Sequence, residues 1–157
     1  MDETGDVSTS SIPPLAGVFG GGGLFGIGFA MGVLEGLKPR GIDLSEVPLL
    51  GTSAGSWAAA ATAFEVPFQV LADMRVPSFP NPKPGLLAGI AREIFGDQRD
   101  PLIQVMACSL PRLQRTMLDG GKYPLSELVA ASSAVPALLS PHSVNGTRFV
   151  DGGVRSG

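Results

Sequence analysis

Apolar residues fall into short runs separated by glycine- and proline-rich stretches. Residues 15–19 (LAGVF) are an apolar run between turn signals, the pattern of a strand buried in a parallel sheet. The glycines at 20–23 predict a loop. Residues 26–37 place Ile27, Met31 and Leu34 at helical spacing, and Lys38, Pro39, Arg40 and Gly41 end that helix. Residues 47–50 (VPLL) predict a second strand, and the alanine-rich stretch 56–64 predicts a second helix. Between them lies GTSAG.

The middle of the chain carries a fainter pattern. Residues 66–75 predict a helix after Pro67, and the four prolines in 77–84 impose an extended loop. Residues 86–95 predict a helix stopped by Gly96, and 102–108 predict a strand. Residues 112–118 followed by Asp119, Gly120 and Gly121 predict a further strand and turn, and 125–132 a helix. Residues 143–144 and 147–151, joined at Asn145-Gly146, predict a hairpin with a two-residue turn. Alternating strands and helices imply an α/β layer fold with a mostly parallel central sheet, whose functional groups gather where strands end. No internal repeat is visible.

Composition narrows the function classes. The 157 residues suit one domain, 15–157, after a polar leader, 1–14, that is expected to be disordered and lacks the pattern of a signal peptide. A net charge of −3 with no basic cluster argues against a nucleic-acid partner. The single cysteine, Cys108, sits in an apolar stretch as a small core residue, and one Cys with one His offers no ordinary zinc site. No charge lies between Asp6 and Glu35, so 15–34 is long enough to suggest a membrane span. Its many glycines argue against one, at about 1 kcal/mol each relative to alanine in a helix. A cytoplasmic or peripheral membrane location is expected.

Three places could carry chemistry. Gly51-Thr-Ser-Ala-Gly55 is G-x-S-x-G on a strand-to-helix turn, the arrangement that lifts a serine hydroxyl above a sheet and aims a helix N-terminus at it. The flanking glycines fit where side chains would collide with the neighbouring strand and helix. Gly20 to Gly23 could bring backbone N–H groups against an oxyanion. The same letters fit a dinucleotide loop, G-x-G-x-x-G through Gly21, Gly23 and Gly26, although Asp43 precedes the second strand rather than ending it. They also fit a plain βα turn. A base for Ser53 could be Asp151, which ends an apolar strand ahead of two glycines, or His142 in a Ser53–Asp119–His142 triad. Asp151 also reads as an ordinary turn aspartate.

Taken together, Gly21-Gly-Gly-Leu-Phe-Gly26, Gly51-Thr-Ser-Ala-Gly55 and Asp151-Gly-Gly153 resemble the three signature boxes of patatin-like phospholipases. Ala131-Ser-Ser-Ala-Val-Pro136 resembles a further segment of that family. The resemblance implies a three-layer α/β/α sandwich and hydrolysis of fatty-acyl esters through an acyl-serine. Ser53 would be the nucleophile, Asp151 its base without histidine, and Gly21, Gly22 and Gly23 the oxyanion hole. The implied partner is a lipid or acyl-ester substrate, with peripheral membrane contact, and no cofactor or metal. Burial in a lipid-lined cleft would make the aspartate a stronger base than its ordinary carboxylate chemistry allows. Two departures stand out. Phe25 occupies a place where the family commonly has Arg or Lys, and the chain stops soon after Asp151. The second suggests a C-terminally short domain, whose alternative role is that of an inactive binding module.

Overall fold

The computed structural model describes residues 15–155, so the leader expected at 1–14 lies outside the described residues. Its strands are β1 (Gly17–Phe19), β2 (Leu49–Thr52), β3 (Ile103–Ser109), β4 (Gln114–Asp119), β5 (His142–Val144) and β6 (Thr147–Asp151). Its helices are α1 (Gly23–Leu37), α2 (Ala54–Ala63), α3 (Phe68–Ala72), α4 (Leu86–Phe95) and α5 (Leu125–Ser132). Each predicted strand is present, shifted by a residue or two. The 66–75 helix is reduced to the five residues of α3. α1 starts three residues before its predicted start: Gly26 N–H already donates to Gly22 O at 2.9 Å, so the glycine run supplies the first turn.

The fold is α/β, on one mixed sheet. β1, β2 and β3 run parallel, as the crossovers through α1 and through α2 to α4 require. The remaining pairs, β3–β4, β3–β6 and β5–β6, are antiparallel. The expectation of a mostly parallel sheet therefore holds only for one half. For β3–β4 and β5–β6 the cause is connection length, since the short links 110–113 and 145–146 can join only antiparallel neighbours.

Along β2 and β3 the residues facing the helices are buried: Leu49, Gly51, Ile103, Val105 and Ala107. α2 and α5 pack directly on this face, α1 packs on α2, and α4 on α5. Four consecutive alanines, Ala58–Ala61, let α2 sit close to the sheet with almost no exposed surface. The opposite face carries Val18, 75% exposed, and Met117, 57% exposed. Of the sandwich expected, the described residues hold the sheet and one helical layer, with a 3₁₀ turn (Gly152–Arg155) against β3. No helix among them is long and apolar enough to cross a membrane.

The Ser126 hydroxyl at the start of α5 is fully buried and has no hydrogen-bond partner among the described residues. Ser126→Ala removes that unpaired group without leaving a large void. It should stabilise the fold by about 1 kcal/mol, read from the midpoint of urea unfolding.

Candidate active site

The site exists because two strands share one edge of a third. β4 pairs along β3 from Gln104 to Ser109 and occupies one edge. On the other edge β2 pairs with Ile103 to Met106, and β6 with Ala107 to Ser109. β2 runs parallel to β3 and β6 antiparallel, so their C-terminal ends meet opposite Met106 and Ala107. Ser53 follows one end and Asp151 forms the other. The Ser53 Oγ–H donates to Asp151 Oδ2 at 2.5 Å. Asp151 is only 5% exposed, and its Oδ1 accepts the Gly153 N–H at 2.7 Å.

Ser53 has φ 53° and ψ −122°, a conformation that costs a non-glycine residue about 1–3 kcal/mol. Close packing enforces it. A Cβ on Gly55 would stand 2.1 Å from the Phe19 carbonyl oxygen, and one on Gly51 2.5 Å from Gly55 O. Both glycines of G-x-S-x-G are thus required by contact, as the sequence suggests. α2 begins at Ala54, so its N-terminal end faces the serine.

The glycine loop lies alongside. A Cβ on Gly21 would be 3.7 Å from Ser53 Cβ, and one on Gly26 3.4 Å from Ala54 Cβ. Gly23 is the first residue of α1, where helical N–H groups lack intrahelical acceptors. Gly21, Gly22 and Gly23 therefore sit at the convergence of two helix N-termini beside the hydroxyl. A strand-ending acid at the Asp43 position, which a dinucleotide loop would want, is absent: Asp43 lies between α1 and β2 and caps the Ser45 N–H at 2.9 Å.

The alternative triad does not assemble. His142 Nε2 lies 2.6 Å from Glu127 Oε2. The other Glu127 oxygen bonds Arg92, which is also bound to Asp97 at 2.9 Å. The Asp97 hydrogen bond, followed by the charges of Asp97 and Glu127, raises the Arg92 pKa above its ordinary value. Asp119 pairs with Gln104, three residues along β3 from the position opposite Asp151, and accepts the Gly121 N–H at 2.9 Å. At about 3.3 Å per residue that is roughly 10 Å away along the strand.

One element of the site carries no chemical signal in the sequence. Residues 132–134 hold Ser53, Met106, Trp57 and Asp151 at once. The Ser53 N–H donates to Ser132 Oγ at 2.8 Å, and the Ser132 hydroxyl donates to Met106 O at 2.7 Å. The Trp57 indole N–H donates to Ser133 Oγ at 3.0 Å. The Asp151 N–H donates to Ala134 O at 3.0 Å. The only sequence pointer is the family-like Ala131–Pro136 segment, which names no role for its serines. Ser132→Ala removes the partner of a part-buried N–H and a part-buried carbonyl, and should cost about 1 kcal/mol in urea unfolding.

Comparison with known proteins bears on the C-terminal part of this arrangement. The family model for patatin-like phospholipase matches residues 111–157. Over that segment the chain is similar to patatin-like phospholipases. The matched patatin-like segment holds α5, the 132–134 grip and Asp151, whereas Ser53 and the glycine loop lie outside it. A comparison with curated proteins finds no match.

Proposed function

We propose that this protein is a serine lipid acyl hydrolase working through a Ser53–Asp151 dyad. The observation that carries the reading is the 2.5 Å hydrogen bond from the Ser53 hydroxyl to a buried carboxylate, across 98 residues of chain. Asp151 takes the hydroxyl proton as Oγ attacks the carbonyl carbon of a fatty-acyl ester. The tetrahedral oxyanion is held by backbone N–H groups of Gly21, Gly22 and Gly23, with the α2 N-terminus adding favourable potential. The same proton passes from Asp151 to the departing alkoxide, leaving an acyl-serine. Water, deprotonated by Asp151, then releases the acid and restores Ser53.

The substrate is a lipid or related acyl ester, in keeping with the family of the matched segment. Contact with a membrane surface is part of this proposal, and the stacked, exposed Phe25 and Phe29 on α1 support it. A fluorophosphonate probe should label the wild-type protein and fail on Ser53→Ala. His142→Ala should keep kcat on a short-chain ester within about threefold, because His142 orders Glu127 rather than the serine. A loss of a hundredfold or more in His142→Ala would instead favour the Ser–His–Asp reading.

A further inference from the structure

Ser133 follows the last residue of α5 and sits next in the chain to Ser132, which accepts the Ser53 N–H. It is 8% exposed and lines the same cavity as Ser53. Arg75, Ser53 and the Trp57 indole are the other polar side chains in that lining, and the rest are apolar. The Trp57 N–H, which can only donate, donates to Ser133 Oγ at 3.0 Å. One lone pair of the hydroxyl is therefore taken, and its own proton remains to be placed. Among the described residues the Ser133 O–H donates to no acceptor. A hydroxyl proton without an acceptor, this far from bulk water, costs free energy that a ligand bearing an acceptor recovers.

We infer that Ser133 donates this hydrogen bond to the substrate, at the bridging oxygen of the ester. The inference rests on the acyl hydrolase reading and adds to it a residue that touches the reacting group. An ester brings two oxygens. Under that reading the carbonyl oxygen goes to the N–H groups of the glycine loop, so the bridging oxygen is the acceptor left for Ser133. That oxygen takes up the electron pair as its bond to the acyl carbon breaks, and it gains negative charge on the way. A hydrogen bond there is stronger in the transition state than in the bound ester, so it raises kcat/KM through the chemical step. Ser133 keeps its proton throughout, and the proton that completes the alcohol is the one carried by Asp151. By occupying one lone pair, the Trp57 N–H limits the directions in which the Ser133 O–H can point.

The test exchanges that one oxygen for sulfur, a weak acceptor. kcat/KM is measured for ethyl butyrate and S-ethyl thiobutyrate with the wild type, Ser133→Ala and Ser133→Thr. The ratio of the two values on one preparation does not depend on how much of the sample is folded. Losing the Trp57 bond as a merely structural contact would lower both values alike. In Ser133→Ala the ester-to-thioester ratio should fall about tenfold, the worth of one hydrogen bond to a developing charge. Ser133→Thr keeps the hydroxyl and should return the ratio to within about threefold of wild type. A fall of less than about threefold in Ser133→Ala is smaller than such a bond supplies and overturns the inference, while hydrolysis of the esters still supports the acyl hydrolase reading. A Ser133→Thr ratio as low as that of Ser133→Ala overturns it in the same way. A wild type that hydrolyses neither ester overturns both.

Discussion

Asp151→Asn should leave the protein folded and lower kcat by about 10³-fold, in the middle of the range for removing a general base. The reason lies in what each oxygen does. Oδ1 of Asp151 accepts the Gly153 N–H and Oδ2 accepts the Ser53 hydroxyl. An asparagine that keeps its oxygen toward Gly153 must turn its NH₂ toward Ser53. The serine oxygen then accepts instead of donating, its proton points elsewhere, and nothing is left to remove it. The substitution is nearly isosteric and preserves one bond of the pair, so the unfolding midpoint should move little. Kinetics on a soluble ester, with thermal unfolding of the same sample, check both halves. Activity within tenfold of wild type would mean that Asp151 only orients the serine.

Gly55→Ala should destabilise the fold by about 3 kcal/mol or more, at the upper end of overpacking penalties. The added methyl would lie 2.1 Å from the Phe19 carbonyl oxygen and 2.7 Å from that of Gly20, both backbone atoms. Neither can swing aside as a side chain could. Either α2 lifts from β1, or β1 leaves β2. Both movements displace Ser53 and the glycine loop together, so esterase activity should fall along with stability. Urea unfolding and kcat/KM on one preparation measure this. A variant as stable as wild type would show that α2 and β1 approach less closely than described.

Local signals in the sequence located the serine turn, the terminal hairpin and most elements, because each depends on neighbouring residues. Gly51 and Gly55 announce a tight strand-to-helix turn, and the contacts at both positions are the ones such a turn demands. Asn145-Gly146 announces a hairpin, and that hairpin supplies one of the three antiparallel pairs of the sheet. Strand order was not legible. Nothing in the residues of β6 says that it will continue the edge of β3 where β2 leaves off. The grip of residues 132–134 was hidden for a related reason, since serine and alanine are ordinary in helices and turns. Their meaning comes from Ser53, Met106, Trp57 and Asp151, all distant in sequence. Helix starts inside glycine runs are likewise poorly marked, which explains the earlier onset of α1.

The end-to-end meeting of β2 and β6 has a temporal side. The serine is set in its bend by α2, β1 and, through Ser132, by α5, whereas the carboxylate that its hydroxyl bonds arrives only with the last strand of the hairpin. Under the proposed dyad, docking of β6 is the step that arms the serine, and an opening that peels this hairpin from β3 would separate Asp151 from Ser53 while β1, β2 and β3 stay paired.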